Sequence, residues 1–225
     1  SFELIKASVG KIGNIWEVLE FEVSSEAPDS SLQSLPLCPK TIIMSNDSTP
    51  TWRRLYSEPG PDLKLFRARF DHMRNPRNGA VERMIVLEAD DSVTVAARTP
   101  QDELLFVRQY RFGTEAYTLE LPGGIVDAGE DPATAARREL REETGYTGDR
   151  WIALGHIANN PVYMDNSVHF YYAENVTPTQ PQHLDAGEAI EVVRLPMEEV
   201  RRRLEAGAFE HPHTVIALFW LFKKS

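Results

Sequence analysis

Apolar and polar residues alternate in short runs through the middle of the chain. Because successive strand side chains point to opposite faces, such alternation predicts β-strands. The runs fall at residues 63–73 (LKLFRARFDHM), 80–88, 92–98 (SVTVAAR) and 103–111 (ELLFVRQYR). Turn residues separate them at 74–79 (RNPRNG) and at Pro100-Gln101-Asp102. A short strand is expected at 117–122 (YTLELP), with others at 151–158, 167–174 and 191–195. Three stretches change to a helical period: 131–145, a segment from near Pro196 to near Gly207, and the largely apolar 213–222. Strands on both sides of a core helix predict helices packed on a mixed sheet, an α/β (α+β) fold.

The beginning of the chain reads differently. Residues 2–23 contain NIWEVLEFEV, whose alternation predicts a strand with a hairpin partner before Gly10 or Gly13. Residues 24–50 are dominated by Ser, Pro and Asp and read as a linker. Met44 resembles a natural start, which would make residues 1–43 an extension. The expected organisation is therefore an extension and linker over 1–50, a small β region over 51–90 and a main domain over 91–225.

The chain has 225 residues, 42% hydrophobic and 26% charged, as in globular proteins with a sizeable core. A net charge of −10 argues against a general nucleic-acid-binding surface. It also makes a bound cation more necessary if the substrate is a polyanion. The single cysteine, Cys38, excludes an internal disulfide framework and fits a cytoplasmic protein. No apolar run approaches the ~20 residues of a membrane span.

The densest chemistry lies in residues 124–146, GIVDAGEDPATAARRELREETGY. Its first half is a loop, where Gly123, Gly124 and Gly129 permit backbone angles that other residues resist. Its second half is a helix: Asp131 is a good N-cap, Pro132 suits the first position, and Gly145 suits the left-handed residue that ends one. On that helix Glu139, Glu142 and Glu143 share one side, beside an apolar stripe of Ala133, Ala136 and Leu140. Three carboxylates bordering a buried face repel one another, and a hard divalent cation is the partner such oxygens suit. Arg138 and Glu130 would orient and partly neutralise the group. A solvated helix with arginine–glutamate pairs explains the charges, but not the glycines, Glu130 and the spacing together.

The pattern G-x5-E-x7-R-E-(apolar)-x-E-E-x-G-(apolar) resembles the Nudix box, and every fixed position is met, from Gly124 to Tyr146. The resemblance implies a Nudix α/β/α sandwich with a mixed sheet, preceded here by a small β region. It also implies Mg2+- or Mn2+-dependent cleavage of a diphosphate in a nucleoside diphosphate-linked molecule. Metal ligands would be Glu139, Glu142, Glu143 and the Gly123 carbonyl, with Glu142 and Arg138 also in the catalytic group.

Three further segments are similar to the ADP-ribose and nucleotide-sugar pyrophosphatase branch: VRQYR at 107–111, LELPGG at 119–124, and Pro161, sixteen residues after Gly145. A lone proline is also ordinary loop punctuation. The loop after it lacks the glycine and acids expected there; Asn159, Asn160, Tyr163, Asp165 and Asn166 are either sugar- or base-reading residues or plain loop. Arg108 and Arg111 are candidate phosphate ligands. Three positions apart on a strand, only one is expected to face the site, and Arg111 is preferred. Glu120 would assist.

By the same resemblance the base lies on the loop at 184–192, where Glu188 is preferred over Glu191, which sits in the expected strand. His211 and His213 read as helix-start residues. A triphosphate- or dinucleotide-cleaving Nudix enzyme and a non-catalytic sensing module are the alternatives; the retained box acids disfavour the second. The strands at 63–73 and 80–88 make too small a sheet to stand alone. The resemblance implies that they pair two subunits of a homodimer, with Arg67 or Arg69 of the partner touching substrate. No nucleic-acid or membrane partner is expected.

Overall fold

The computed structural model describes residues 51–224. The strand expected within 2–23 and the linker at 24–50 lie outside the described residues. From residue 53 the chain forms a three-stranded antiparallel sheet of β1 (Arg53–Asp62), β2 (Arg67–Arg74) and β3 (Val81–Glu88), in that order. The pattern had predicted two strands here. It missed β1 because RRLYSEPGPD carries two prolines and a glycine. These residues are tolerated because β1 is an edge strand whose register shifts between Pro59 and Asp62. The strand expected from residue 63 starts only at Arg67. Residues 63–66 form the β1–β2 turn instead: the Leu63 N–H donates to the Phe66 carbonyl (2.8 Å), and Lys64 has φ 69°.

The main domain follows: β4 (Ser92–Arg98), β5 (Glu103–Arg111), β6 (Ala116–Glu120), α1 (Pro132–Thr144), β7 (Tyr146–Thr147), β8 (Arg150–Ala158), β9 (Ser167–Glu174), β10 (Thr177–Pro178), β11 (Glu191–Pro196), α2 (Met197–Glu205) and α3 (Pro212–Lys224). Its sheet runs β11-β5-β4-β9-β8, with β6 hydrogen-bonded to β5. Only the β4–β9 pair is parallel, so the sheet is mixed.

Alternation along β4 divides the core. Val93, Val95 and Ala97 face α1 and bury against Ala135, Ala136 and Leu140. Ala96, with Leu104 and Phe106 of β5 and Phe170 of β9, packs against Val200 of α2 and Ala217, Leu218 and Leu221 of α3. Each fully buried Leu or Phe contributes about 1.5–3 kcal/mol, so these two layers carry most of the stability. The result is the expected α/β/α sandwich.

One irregularity positions the site. β4 and β5 pair only at Ala97–Leu105 and Arg98–Leu104, then fork. The segment after β6 enters the fork and takes β4's free edge. Val95 N–H donates to the Pro122 carbonyl (2.8 Å), Val93 N–H to Gly124 (2.9 Å), and Val126 N–H to Asp91 (2.8 Å). A cleft of about 920 Å3 opens where the strands part.

The three-stranded sheet is tied to this domain by backbone and charge. Leu87 N–H donates to the Tyr163 carbonyl (2.7 Å), while Arg69 bonds Asp71 (3.0 Å) and Glu88 and lies 3.5 Å from Asp165. Asp71 is buried. Burial alone would raise its pKa, but the Ser57 hydroxyl (2.6 Å) and Arg69 outweigh this and hold it below the ordinary range. Its contribution is therefore full above the unfolded pKa of about 4 and is lost as pH falls through the still lower folded value. Asp71→Asn is expected to lower stability at pH 7 by about 1–3 kcal/mol. Thermal unfolding of the two proteins should show that gap closing in acid; a constant gap from pH 7 to pH 2 would contradict the ion-pair account.

Candidate active site

Helix α1 starts and stops as its residues dictate. Asp131 Oδ2 accepts from the N–H groups of Ala133 (3.0 Å) and Thr134 (3.2 Å), and Gly145 closes the helix at φ 75°, donating to the Arg141 carbonyl. The buried stripe is Ala135, Ala136 and Leu140; Ala133, expected in it, is only half-buried. Gly129 has positive φ, as expected, but Gly123 and Gly124 do not. Those two are glycines for space: a side chain on Gly123 would strike the Val93 carbonyl, and one on Gly124 the Glu139 carboxylate.

The three glutamates lie on the cleft side of α1 in graded burial. Glu143 is 3% exposed and accepts the Gly123 N–H at 2.9 Å. Burial, with repulsion from Glu139 and Glu188, pushes its pKa up to about 8. Burial also raises Glu139, though Arg138 beside it opposes the shift. Arg138 is the hub. It bonds Glu130 (2.8 Å), Glu139 (2.7 Å), Glu142 (3.3 Å) and the Ile125 carbonyl (2.9 Å), joining the loop to the helix.

The opposite wall is built from the β5–β6 hairpin and the start of α3. Arg111 grips Glu120 with Nε and Nη2 (2.7 and 2.6 Å); among the described residues its Nη1 has no hydrogen-bond partner. Glu120 is 1% exposed, yet its pKa is lowered, because Arg111, the Thr118 hydroxyl and His211 outweigh burial. His211 Nε2 lies 3.4 Å from Glu120, and His213 Nε2 lies 2.9 Å from Asn159 Oδ1. Burial lowers both imidazoles, His213 to about 4, so His213 is neutral at pH 7.

A third wall is the loop between β10 and β11. Its start is bonded to the end of α1: Thr179 N–H donates to the Gly145 carbonyl (2.9 Å) and His183 N–H to Glu142 (2.8 Å). This brings His183, Asp185 and Glu188 to the cleft. Glu191 stays outside on β11, paired with Arg108 at 3.0 Å.

Of the residues singled out from sequence, the cleft gathers Gly123, Glu139, Glu142, Glu143, Arg138, Glu188, Arg111 and Glu120. Arg108 lies on the other face of the hairpin, its guanidinium 4.5 Å over Tyr117. Pro161 is exposed in the β8–β9 loop and does not line the cleft; from that loop only Asn159 does. Arg69 is held by acids of its own chain, away from the cleft, and Arg67 beside it is the more exposed. Sequence reasoning passed over Thr118, left Asn159 open between a sugar- or base-reading residue and plain loop, and set aside His211 and His213. The HPH segment does begin a helix, but that helix opens into the cleft.

Among the described residues no three acidic or imidazole groups form a closed ligand cage as they stand. Glu139 and Glu142 are turned to Arg138, and Glu143 to Gly123. The donor set nevertheless fits a hard divalent ion: oxygen ligands only, and a buried carboxyl that its neighbours destabilise as an anion.

The Nudix domain model matches residues 89–218, and the chain belongs to the Nudix family. It is a Nudix pyrophosphohydrolase. It is 30% identical to the ADP compounds hydrolase NudE of Escherichia coli (strain K12), over 77% of this chain and 88% of the relative. It is 29% identical to an ADP-ribose pyrophosphatase of Bacillus subtilis (strain 168), over 64% of this chain and 78% of the relative. The crystal structure of an ADP compounds hydrolase superposes with TM-score 0.67 at 26% identity, over 76% of this chain and 92% of that one.

Because Glu143 titrates upward on folding, its ionisation opposes folding, and stability falls as pH rises from the ordinary carboxylate range to about 8. Glu143→Gln, measured with a chelator present at pH 8, is expected to stabilise the fold by on the order of 1–3 kcal/mol. A lower melting temperature for the variant would refute this.

Proposed function

We propose that the chain hydrolyses the diphosphate of ADP-ribose or a related nucleoside diphosphate sugar, giving a nucleoside monophosphate and a sugar phosphate. One observation carries this reading: one cleft sets Glu139, Glu142, Glu143 and Glu188 on one side and the Arg111 guanidinium on the other. Its volume of about 920 Å3 accommodates a molecule of that size. The similarity to an ADP-ribose pyrophosphatase and to NudE supports the substrate class.

Glu139, Glu142, Glu143 and the Gly123 carbonyl would hold Mg2+ or Mn2+. Bound there, the ion supplies charge stabilisation on phosphate oxygens and lowers the pKa of water. The chain's own residues do the rest. Arg138 keeps Glu139 and Glu142 in place. Arg111, aimed by Glu120, presents its remaining N–H groups to a phosphate oxygen. Glu188 accepts the proton of the attacking water as the new P–O bond forms and the bridging P–O bond breaks. His211, His213 and Asn159 line the opposite wall, where the rest of the substrate would lie.

The test is a panel of ADP-ribose, ADP-glucose, GDP-mannose, NADH and nucleoside triphosphates with each metal, scoring products. ADP-ribose or another sugar nucleotide should be cleaved fastest, and Glu139→Gln should lower kcat by orders of magnitude with the fold intact. Preference for triphosphates, or a near-normal Glu139→Gln enzyme, would defeat the reading.

A homodimer through the three-stranded sheet is part of the proposal. Tyr56, Val81, Met84 and Ile85 are exposed on its strands, and β1 and β3 are its edges. Sedimentation at micromolar concentration should give a dimer; a fully active monomer would rule it out.

A further inference from the structure

The loop that carries Glu188 joins a wall already rich in negative charge. Asp185 and Glu188 line the same cleft as Glu139, Glu142 and Glu143. Like charges gathered there repel, so the loop needs bonds that hold it in place. Backbone bonds to α1 secure only its start, at residues 179–183.

The side chain of Gln182 does more. Its amide nitrogen donates to the Glu143 carbonyl (2.5 Å) and to the Ile190 carbonyl (3.4 Å). A carboxamide nitrogen has two hydrogens, one for each acceptor. One carbonyl belongs to the most buried glutamate of α1; the other lies at the loop's far end, where Ile190 is buried before β11. The two bonds close residues 182–190 into a short ring of chain tied to α1. Within that ring Asp185 and Glu188 bond each other's backbone, Glu188 N–H to the Asp185 carbonyl (2.9 Å) and Asp185 N–H to Glu188 Oε2 (3.0 Å).

We propose that Gln182 is a positioning residue for the reaction: its amide staples both ends of the loop to the last turn of α1 and so sets where the Glu188 carboxylate stands. This rests on the reading of Glu188 as the base. Gln182 does not line the cleft; it bonds the main chain of Glu143, not that residue's carboxylate. Displacing a catalytic group by about 1 Å lowers a rate by as much as ~100-fold. The signature of the staple is thus a change in kcat with little change in KM.

The experiment compares wild type, Gln182→Met, Glu188→Gln and the double variant on the sugar nucleotide cleaved fastest. Methionine keeps the length of glutamine and removes both donors. Gln182→Met is expected to lower kcat roughly 10- to 100-fold, with KM within about twofold and with unchanged Mn2+ affinity by titration calorimetry without substrate. In the Glu188→Gln background the same substitution should have little further effect, since a base already removed cannot be misplaced. Wild-type kcat in Gln182→Met overturns the proposal. So does an equal loss in both backgrounds, which would place the effect of Gln182 on α1 or the fold. A Glu188→Gln enzyme of wild-type rate removes the assignment of the base and with it this role for Gln182. A slow Glu188→Gln enzyme with an undiminished Gln182→Met effect removes the positioning role alone.

Discussion

Repulsion among carboxylates is the constraint on which this structure turns. Glu139, Glu142 and Glu143 project from adjacent turns of one helix beside the apolar stripe that docks it, and Glu188 approaches from a separate loop. Burial is the largest cause of the raised pKa of Glu143, and repulsion from Glu139 and Glu188 adds to it. The surrounding structure supplies the opposing forces. Arg138 ties two of the glutamates to Glu130 and to the Ile125 carbonyl. The apolar layer of Ala135, Ala136 and Leu140 anchors the helix against the sheet. A site that opposes folding is stable because packing behind it exceeds that opposition, and its clustered carboxylates suit a hard divalent ion.

The fork between β4 and β5 converts a packed sheet into a site. Where the strands pair, the sheet is closed; where they part, the segment 122–126 satisfies β4's backbone and places Gly123 and Gly124 against the glutamates. The far wall follows from the same departure, because the free end of β5 turns back as β6 and carries Arg111 and Glu120 to face α1. Glu120 shows how opposite surroundings separate like groups. It is buried as deeply as Glu143, yet its pKa is lowered, since a guanidinium, a hydroxyl and an imidazole are directed at it.

The three-stranded sheet is organised by charge as much as by packing. Arg69 joins Asp71 and Glu88 of that sheet to Asp165 of the β8–β9 loop, the loop that also holds Asn159 beside His213. Contacts at the sheet thus continue, residue to residue, to the edge of the cleft.

The residue order alone determined what depends on near neighbours. The cap at Asp131, the stop at Gly145 and the shared face of Glu139, Glu142 and Glu143 are consequences of local helical preference and spacing, and the residue pattern along β4, β5 and β9 marked their strands. What the alphabet of local preference missed was β1, whose prolines and glycine disfavour a strand until edge pairing with β2 supplies the bonds. The role of Gly123 was equally hidden, because the crowding that requires glycine there comes from the backbone of β4, far away in the chain. Strand parity predicted that only one of Arg108 and Arg111 faces the cleft, and the fold places Arg111 there. That His211 and Asn159 line the same cavity, and that Gln182 ties down the loop beside it, was decided only by tertiary structure: His211 meets Glu120, Asn159 meets His213 and Gln182 meets Glu143, all distant in the chain, and no local period records a contact made across the fold.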